Sequence, residues 1–269
     1  MSEAARDLTQ ERLLAFLKTR ALGRSTRLLR EATSTSDIAR EDGLSGAPHG
    51  HLVHAERQSQ GRGRKGRSWV SPPGVNLAFS LLLRPALAIE EAPLITLATA
   101  LGCRDALEEI GVQAAIKWPN DLLIGARKVA GILSEMSLAG RAIGHVVVGV
   151  GLNVNLDTEA LEPPLNETAT SLRRELGRPL DRARVLACLL DHLEATLGEL
   201  ETAGFDSLRE RYRRHSATLG QRVRAFTESG IVEGVATDLG GRGSLFLRLD
   251  SGETREIFAG DVERVRGLS

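Results

Sequence analysis

Residues 61 to 69 read Gly-Arg-Gly-Arg-Lys-Gly-Arg-Ser-Trp, and their spacing fits two phosphate-binding templates. Gly61, Gly63 and Gly66 match G-x-G-x-x-G, while Gly61 to Ser68 nearly match G-x-x-x-x-G-K-[ST] with Arg67 in the lysine position. Both templates need a strand leading in and a helix leading out, because the helix N-terminus supplies amides and partial positive charge to the phosphate. The exit here runs through Trp69-Val70-Ser71 into Pro72-Pro73-Gly74, which cannot begin a long helix. On the entry side Leu52 and Val53 could start a strand, but Glu56 to Gln60 is wholly polar, so no strand is expected to lead in. What remains is a run of cations, Arg62, Arg64, Lys65 and Arg67, between glycines that let the backbone approach a ligand closely. Arginine forks suit carboxylates and phosphates. The segment reads as an anion-binding loop, a solvated basic linker, or an Arg-Gly segment touching nucleic acid.

Three further segments carry candidate chemistry. Lys117-Trp-Pro-Asn-Asp121 follows the apolar Val112 to Ile116, which puts Lys117 at a strand end, either reaching solvent or serving as a fixed charge for a phosphate or an oxyanion. Lys128-Val-Ala-Gly-Ile-Leu133 starts a strand with a second lysine and carries Gly131 inside it, where glycine marks a bulge or a close backbone approach. Gly149-Val-Gly-Leu-Asn-Val-Asn155 ends a strand in glycines and asparagines, which suits a pocket lined by amides or a turn with left-handed asparagines. The six histidines lack a nucleophile context for a Ser/His/Asp triad. His49, His51 and His54 have no cysteine or acidic partner at ligand spacing and read as a surface loop. Cys103 and Cys188 are too few and too far apart in sequence for a disulfide framework or a zinc site.

The elements that must hold these residues follow from periodicity. Leu13, Leu14 and Leu17 after Thr9 predict a helix over 8–20, and Ser34-Thr35-Ser36-Asp37 caps the start of another. Residues 75–84 read as a buried strand, 94–110 as a helix stopped by Gly111, and 114–118, 129–137 and 145–150 as strands. A long helix starts after Asp181 and a shorter one covers 203–215. Beyond Leu219, short strands at 223–226, 231–237, 245–249 and 256–258 predict a small β-barrel.

Lys+Arg and Asp+Glu are both 35, so no global field draws the chain to nucleic acid or an acidic membrane. Aromatic residues are only 3%, too sparse for a base-stacking surface, and Trp69 and Trp118 both fall inside the candidate segments. A signal core and a membrane span of about 18 apolar residues are not visible, so a cytoplasmic protein without membrane contact is expected.

Taken in order, Ser34-Thr35, Gln58, the 61–69 loop, Lys117-Trp-Pro-Asn-Asp121, Lys128 to Leu133 and Gly149-Val-Gly-Leu-Asn153 resemble the biotin protein ligases, over residues 31 to about 155. The resemblance implies an α/β (α+β) fold. Residues 1–30 would form an N-terminal helical segment, 31–217 a mixed-sheet catalytic domain, and 218–269 an SH3-like β-barrel. It implies biotin and ATP as substrates with Mg2+, a biotinyl-5′-adenylate intermediate, and transfer to a lysine of a biotin carboxyl carrier domain. Ser34, Thr35, Ser36 and Gln58 would then line the biotin head group. Arg62, Gly63, Arg64 and Lys117 would surround its carboxylate and the α-phosphate. Arg67 would meet the phosphates, Trp69 would flank the adenine, and Asn120, Lys128, Gly151 and Asn153 would bind nucleotide or adenylate. Lys117, Arg62 and Arg64 are the expected catalytic charges. Where the family commonly has Asp-Ser-Thr-Asn, this chain has Thr33-Ser34-Thr35-Ser36. About 30 residues precede the first motif, too few for a DNA-reading three-helix module, so no operator binding is expected. A monomer or weak homodimer is expected. The alternatives are a lipoate or octanoate ligase or transferase of the same fold, or a nucleic-acid-binding protein using the Arg-Gly loop.

Overall fold

The computed structural model describes residues 7–69, 72–228, 230–258 and 260–265, so Val70 and Ser71 of the loop exit lie outside the described residues. The chain runs α1 Gln10–Phe16, β1 Thr26–Ala32, α2 Thr35–Leu44, β2 His51–Gln58 and β3 Leu77–Leu83. It continues through α3 Ala92–Glu109, β4 Ala115–Lys117, β5 Asp121–Ile124, β6 Arg127–Ala139 and β7 Ala142–Leu152. The second half adds α4 Leu165–Thr168, α5 Leu172–Leu176, α6 Arg182–Ala203, α7 Phe205–Arg214, β8 Arg222–Thr227, β9 Gly230–Leu239, β10 Leu245–Arg248, β11 Thr254–Ile257 and β12 Asp261–Arg264. No helix among them is long and apolar enough to cross a membrane.

Seven strands form one mixed sheet in the order β1-β2-β3-β7-β6-β5-β4, with β1 and β2 parallel and the other neighbours antiparallel. The period-two alternation of a strand assigns its two faces different work. Leu77, Phe79, Leu81 and Leu83 of β3 and Val146, Val148, Val150 and Leu152 of β7 pack with α3 and α6 in the main core. Each such fully buried side chain contributes roughly 1.5–3 kcal/mol. The intervening residues point the other way. Leu82 and Val147 pack against Ala39 of α2, and farther along the same face the residues become small: Ser80 and Ala78 on β3, Gly149 and Gly151 on β7. That face is therefore shallow beside α2, and the 61–69 loop covers it.

Local signals explain the helix boundaries. The Thr9 hydroxyl accepts from Arg12 N, and Asp181 accepts from Ala183 N and Arg184 N, closing the first turns of α1 and α6. α1 stops at Phe16, short of the expected residue 20, and turns into an extended segment held by Glu194, which accepts from the amides of Arg20, Ala21 and Leu22.

Three strands of the seven-stranded sheet depart from the sequence expectation. β1 was not predicted; it is an edge strand whose exposed charges hide its pattern, and the boundary expected at residue 30 falls inside it. β2 runs through Glu56 to Gln58, so a strand does lead into the loop. The polar residues that argued against it have internal partners: Glu56 meets the buried Arg182 at 2.6 Å, and Gln58 accepts from Thr35. β5 completes the turn after Lys117.

The C-terminal strands form a five-stranded antiparallel sheet, β11-β10-β9-β8-β12. β12 adds a fifth strand beside β8, and β11 ends at Ile257, leaving Phe258 exposed outside it.

Candidate functional site

A narrow cavity of about 60 Å³ opens on the small-residue face of the sheet, lined by Ser34, Thr35, Ser36, Gln58, Arg62, Gly63 and Arg64 and floored by Gly149 and Gly151. Ser34 is the N-cap of α2, and its hydroxyl makes no capping bond. Thr35 donates from its amide to Gln58 Oε1 at 2.8 Å and from its hydroxyl to the same oxygen at 3.1 Å. Beneath them Ser80 Oγ, fully buried, lies 2.9 Å from Thr35 Oγ1 and 3.1 Å from Ser36 Oγ. The result is a ring of hydroxyl and carboxamide groups fixed by one another, suited to a small neutral polar group.

The strand register explains the glycines. Asp121, Gly131, Gly151 and Ala78 stand opposite one another across β5, β6, β7 and β3. The Trp69 indole lies in this trough. A Cβ on Gly151 would fall 2.3 Å from the ring, and one on Gly131 3.3 Å from it. Trp69 lines both the narrow cavity and an adjoining wider one of about 440 Å³. Lys128 Nζ sits 5.7 Å from the ring centroid and 2.6 Å from Asp121 Oδ1, although that oxygen lacks a well-directed hydrogen bond.

Loop residues 61–69 make one 3-10 turn, Arg64–Gly66, with Lys65 in the left-handed region at φ 54°. Gly63 N closes the turn on Arg67 O at 2.7 Å. No helix follows. Each loop cation meets a carboxylate. Arg62 donates to Asp37 of α2 at 2.9 Å and to Glu135 of β6 at 3.0 Å. Arg64, Lys65 and Arg67 converge on Asp261 of β12 at 3.6, 3.7 and 3.4 Å. Arg64 also donates to Gly260 O and Asn120 Oδ1.

The wider cavity is lined by Arg64, Arg67, Trp69, Lys117, Asn120, Lys128 and Asn153. Lys117 ends β4, as the sequence predicts, and its ammonium has no hydrogen-bond or ion-pair partner among the described residues. Asn120 donates to Ile132 O at 2.9 Å, pinning the turn. Asn153 is buried, donates to Thr170 O at 3.0 Å and accepts from Asn76 at 3.4 Å, so its carboxamide braces the cavity wall. Neither Asn153 nor Asn155 is left-handed; among the described non-glycine residues only Lys65 has positive φ. Trp118 is structural: its indole N–H donates to Gly243 O at 3.0 Å, tying the C-terminal sheet to the strand that ends in Lys117.

Residues 28–153 match the biotin/lipoate A/B protein ligase family, and residues 218–265 match the biotin protein ligase C-terminal domain. The bifunctional ligase/repressor BirA of Bacillus subtilis is 34% identical over 257 residues, covering 95% of this chain and 79% of its own. The chain belongs to the biotin protein ligase family. Other members agree over most of their length. The biotin--[acetyl-CoA-carboxylase] ligase of Mycobacterium tuberculosis is 35% identical over 89% of this chain and 84% of its own. The Aquifex aeolicus biotin protein ligase, solved in complex with biotin and ATP, superposes with a TM-score of 0.78 at 29% identity, covering 91% of this chain and all of that one.

In this family member every expected site residue lines one of two adjoining cavities. Gly63, Arg64, Trp69, Asn120 and Lys128 line both. Sequence reading missed Ser80, Gly131 as half of the Trp69 trough, and Asp261. Ser80 left a readable trace, a lone hydroxyl in the run Leu77 to Leu83. Asp261 left none, since its role exists only once β12 meets the loop.

Proposed function

We propose that the chain is a biotin--[biotin carboxyl-carrier protein] ligase that activates biotin with ATP and transfers it to one lysine of a carrier domain. The observation that carries this reading is the pair of adjoining cavities joined at Trp69: a neutral hydroxyl-lined slot beside a wide chamber with an unpaired lysine. The relatives' names and the Aquifex complex with biotin and ATP support it.

The ureido head group occupies the slot against Ser34, Thr35, Ser36 and Gln58. With Ser36 where the family commonly has asparagine, Ser36 and Ser80 together supply the polar contact on that side. The biotin carboxylate lies between Arg62, Gly63, Arg64 and Lys117. Its oxygen attacks the α-phosphorus of ATP in line, and pyrophosphate leaves with the electron pair of the broken P–O bond. Bringing a carboxylate to a triphosphate crowds negative charge, so fixed cations lower the barrier by holding both partners and stabilising the charge that develops. Arg67 faces the phosphates, Trp69 flanks the adenine, and Asn120, Lys128, Gly151 and Asn153 hold nucleotide or adenylate. The carrier lysine, as neutral amine, then attacks the mixed anhydride, forms an amide, and AMP departs. No nucleophilic side chain of the chain itself is needed.

Magnesium would neutralise triphosphate charge. Asp121, Asp261 and Glu263 are the carboxylates along the wide cavity, and one oxygen each of Asp121 and Asp261 is buried without a well-directed hydrogen bond, so the residues fit such an ion.

The ligase acts in the cytoplasm on a carboxylase carrier, as a monomer or weak homodimer, and the balance of 35 basic against 35 acidic residues supports a ligase without operator binding. A gel shift at physiological salt should show no sequence-specific complex. Pyrophosphate exchange into ATP tests the activity, with biotin, lipoate and octanoate added in turn. Biotin alone should support exchange; exchange with lipoate and not biotin would overturn the assignment.

A further inference from the structure

Three donor side chains meet at helices α3 and α6, and none of them lines either cavity. Glu109 ends α3, while Cys188 and His192 stand one turn apart on α6. That spacing puts the thiol and the imidazole on one helix face. Glu109 Oε2 lies 2.8 Å from His192 Nε2, and the Cys188 thiol beside them donates to Ala106 O at 3.7 Å. The ligand atoms of all three lie within 4.8 Å of one another, and no other three His, Cys, Asp or Glu side chains among the described residues come so close. Lys18 and Asp191 flank the cluster with opposite charges.

The arrangement does not suit a nucleophile. His192 faces Glu109 at 2.8 Å and the Cys188 thiol donates to Ala106 O at 3.7 Å, leaving no base on the thiol. It does suit a metal. A thiolate, an imidazole and a carboxylate are the donor types of zinc sites, and three protein ligands leave the fourth position to water. Bond lengths of about 2.0–2.3 Å place tetrahedral ligand atoms roughly 3–4 Å apart, which side-chain rotation reaches from the present separations. Glu109 is exposed and the other two are half-buried, so an ion has access.

We propose that Glu109, Cys188 and His192 form a surface site for a divalent transition-metal ion of zinc's class, a clip between α3 and α6 separate from the substrate cavities. On binding, the Cys188 proton passes to solvent as the metal–sulfur bond forms, the His192 ring proton moves from Nε2 to Nδ1 by exchange with solvent, and the Glu109–His192 hydrogen bond is replaced by two metal bonds.

The test uses the full chain, stripped with a chelator and titrated with Co2+, whose thiolate charge-transfer absorbance reports sulfur ligation. One cobalt per chain is expected, displaced by Zn2+. Cys188→Ser should abolish the band, and His192→Ala should weaken binding at least about tenfold. Cys103→Ser, at the buried thiol outside the cluster, should change nothing. Failure of wild-type protein to develop the band at micromolar cobalt, or a band that survives Cys188→Ser, would overturn the site. If Cys188→Ser does not fold, His192→Ala decides, and unchanged affinity there overturns it equally. Biotin-dependent pyrophosphate exchange should be unaltered in His192→Ala, which separates the fate of this site from that of the proposed reaction.

Discussion

Lys117 differs from the loop cations in having no ion-pair partner among the described residues, the Asp121 opposite it in the strand register being paired with Lys128. Arg62, Arg64, Lys65 and Arg67 already hold carboxylates, so a substrate anion must displace Asp37, Glu135 or Asp261 to reach them. Lys117 can meet the carboxylate and α-phosphate without such exchange. Lys117→Ala should therefore fold normally and slow single-turnover adenylate formation by about 10²–10³-fold, the scale of one lost transition-state contact; a wild-type rate would remove Lys117 from the reaction. Gly151 makes a steric argument at the same scale. With a Cβ 2.3 Å from the Trp69 ring, Gly151→Ala must push the indole out of its trough. Biotin-dependent pyrophosphate exchange should fall by more than tenfold, while the thermal midpoint moves little because Trp69 sits on a loop rather than in the core. Full activity in that variant would mean that Trp69 does not close the junction between the cavities.

β2 shows where the sequence could be read and where it could not. Its first half, His51 to Ala55, is buried and legible as a strand start, whereas Glu56 to Gln58 looks like loop because polar residues normally mark one. The strand persists because Arg182, 126 residues away, answers Glu56, and because Thr35 answers Gln58. α3 and α6 are legible because the apolar spacing of both and the Asp181 cap of α6 are local. β1, β5 and β12 are not, because short edge or hairpin strands take their definition from neighbours distant in sequence. The site followed the same division. The motif residues announced themselves by type, while Ser80 and Asp261 required the register. The Glu56–Arg182 pair also predicts a pH dependence. Burial pushes the Glu56 carboxyl up, but the His54 imidazole 3.6 Å away and the hydrogen-bonded Arg182 guanidinium outweigh it and hold the group at about 2 instead of 4.5. A carboxyl lowered on folding stabilises the fold above pH 4.5, and that stability is lost as pH falls through about 2. Glu56→Gln should thus flatten the fall in denaturant midpoint between pH 4.5 and 2; an unchanged profile would show that the pair does not set acid stability.

The whole molecule places the 61–69 loop between two sheets. Trp118 ties the C-terminal sheet to the Lys117 strand, and Asp261 of that sheet faces Arg64, Lys65 and Arg67. These contacts, at 3.4 to 3.7 Å and partly solvated, are worth at most about 1 kcal/mol each. They are strong enough to bias the loop and weak enough for phosphates to replace. Asp261→Asn should make the ligand-free loop several-fold more sensitive to trypsin, with biotin plus ATP restoring protection; equal cleavage of variant and wild type would deny the C-terminal sheet this role. The central claim, that the adjoining cavities hold the two halves of one adenylate, is tested most directly by native mass spectrometry of the chain with biotin and MgATP and no carrier. Bound biotinyl-5′-adenylate with free pyrophosphate is the predicted result, and biotin retained beside intact ATP would contradict it.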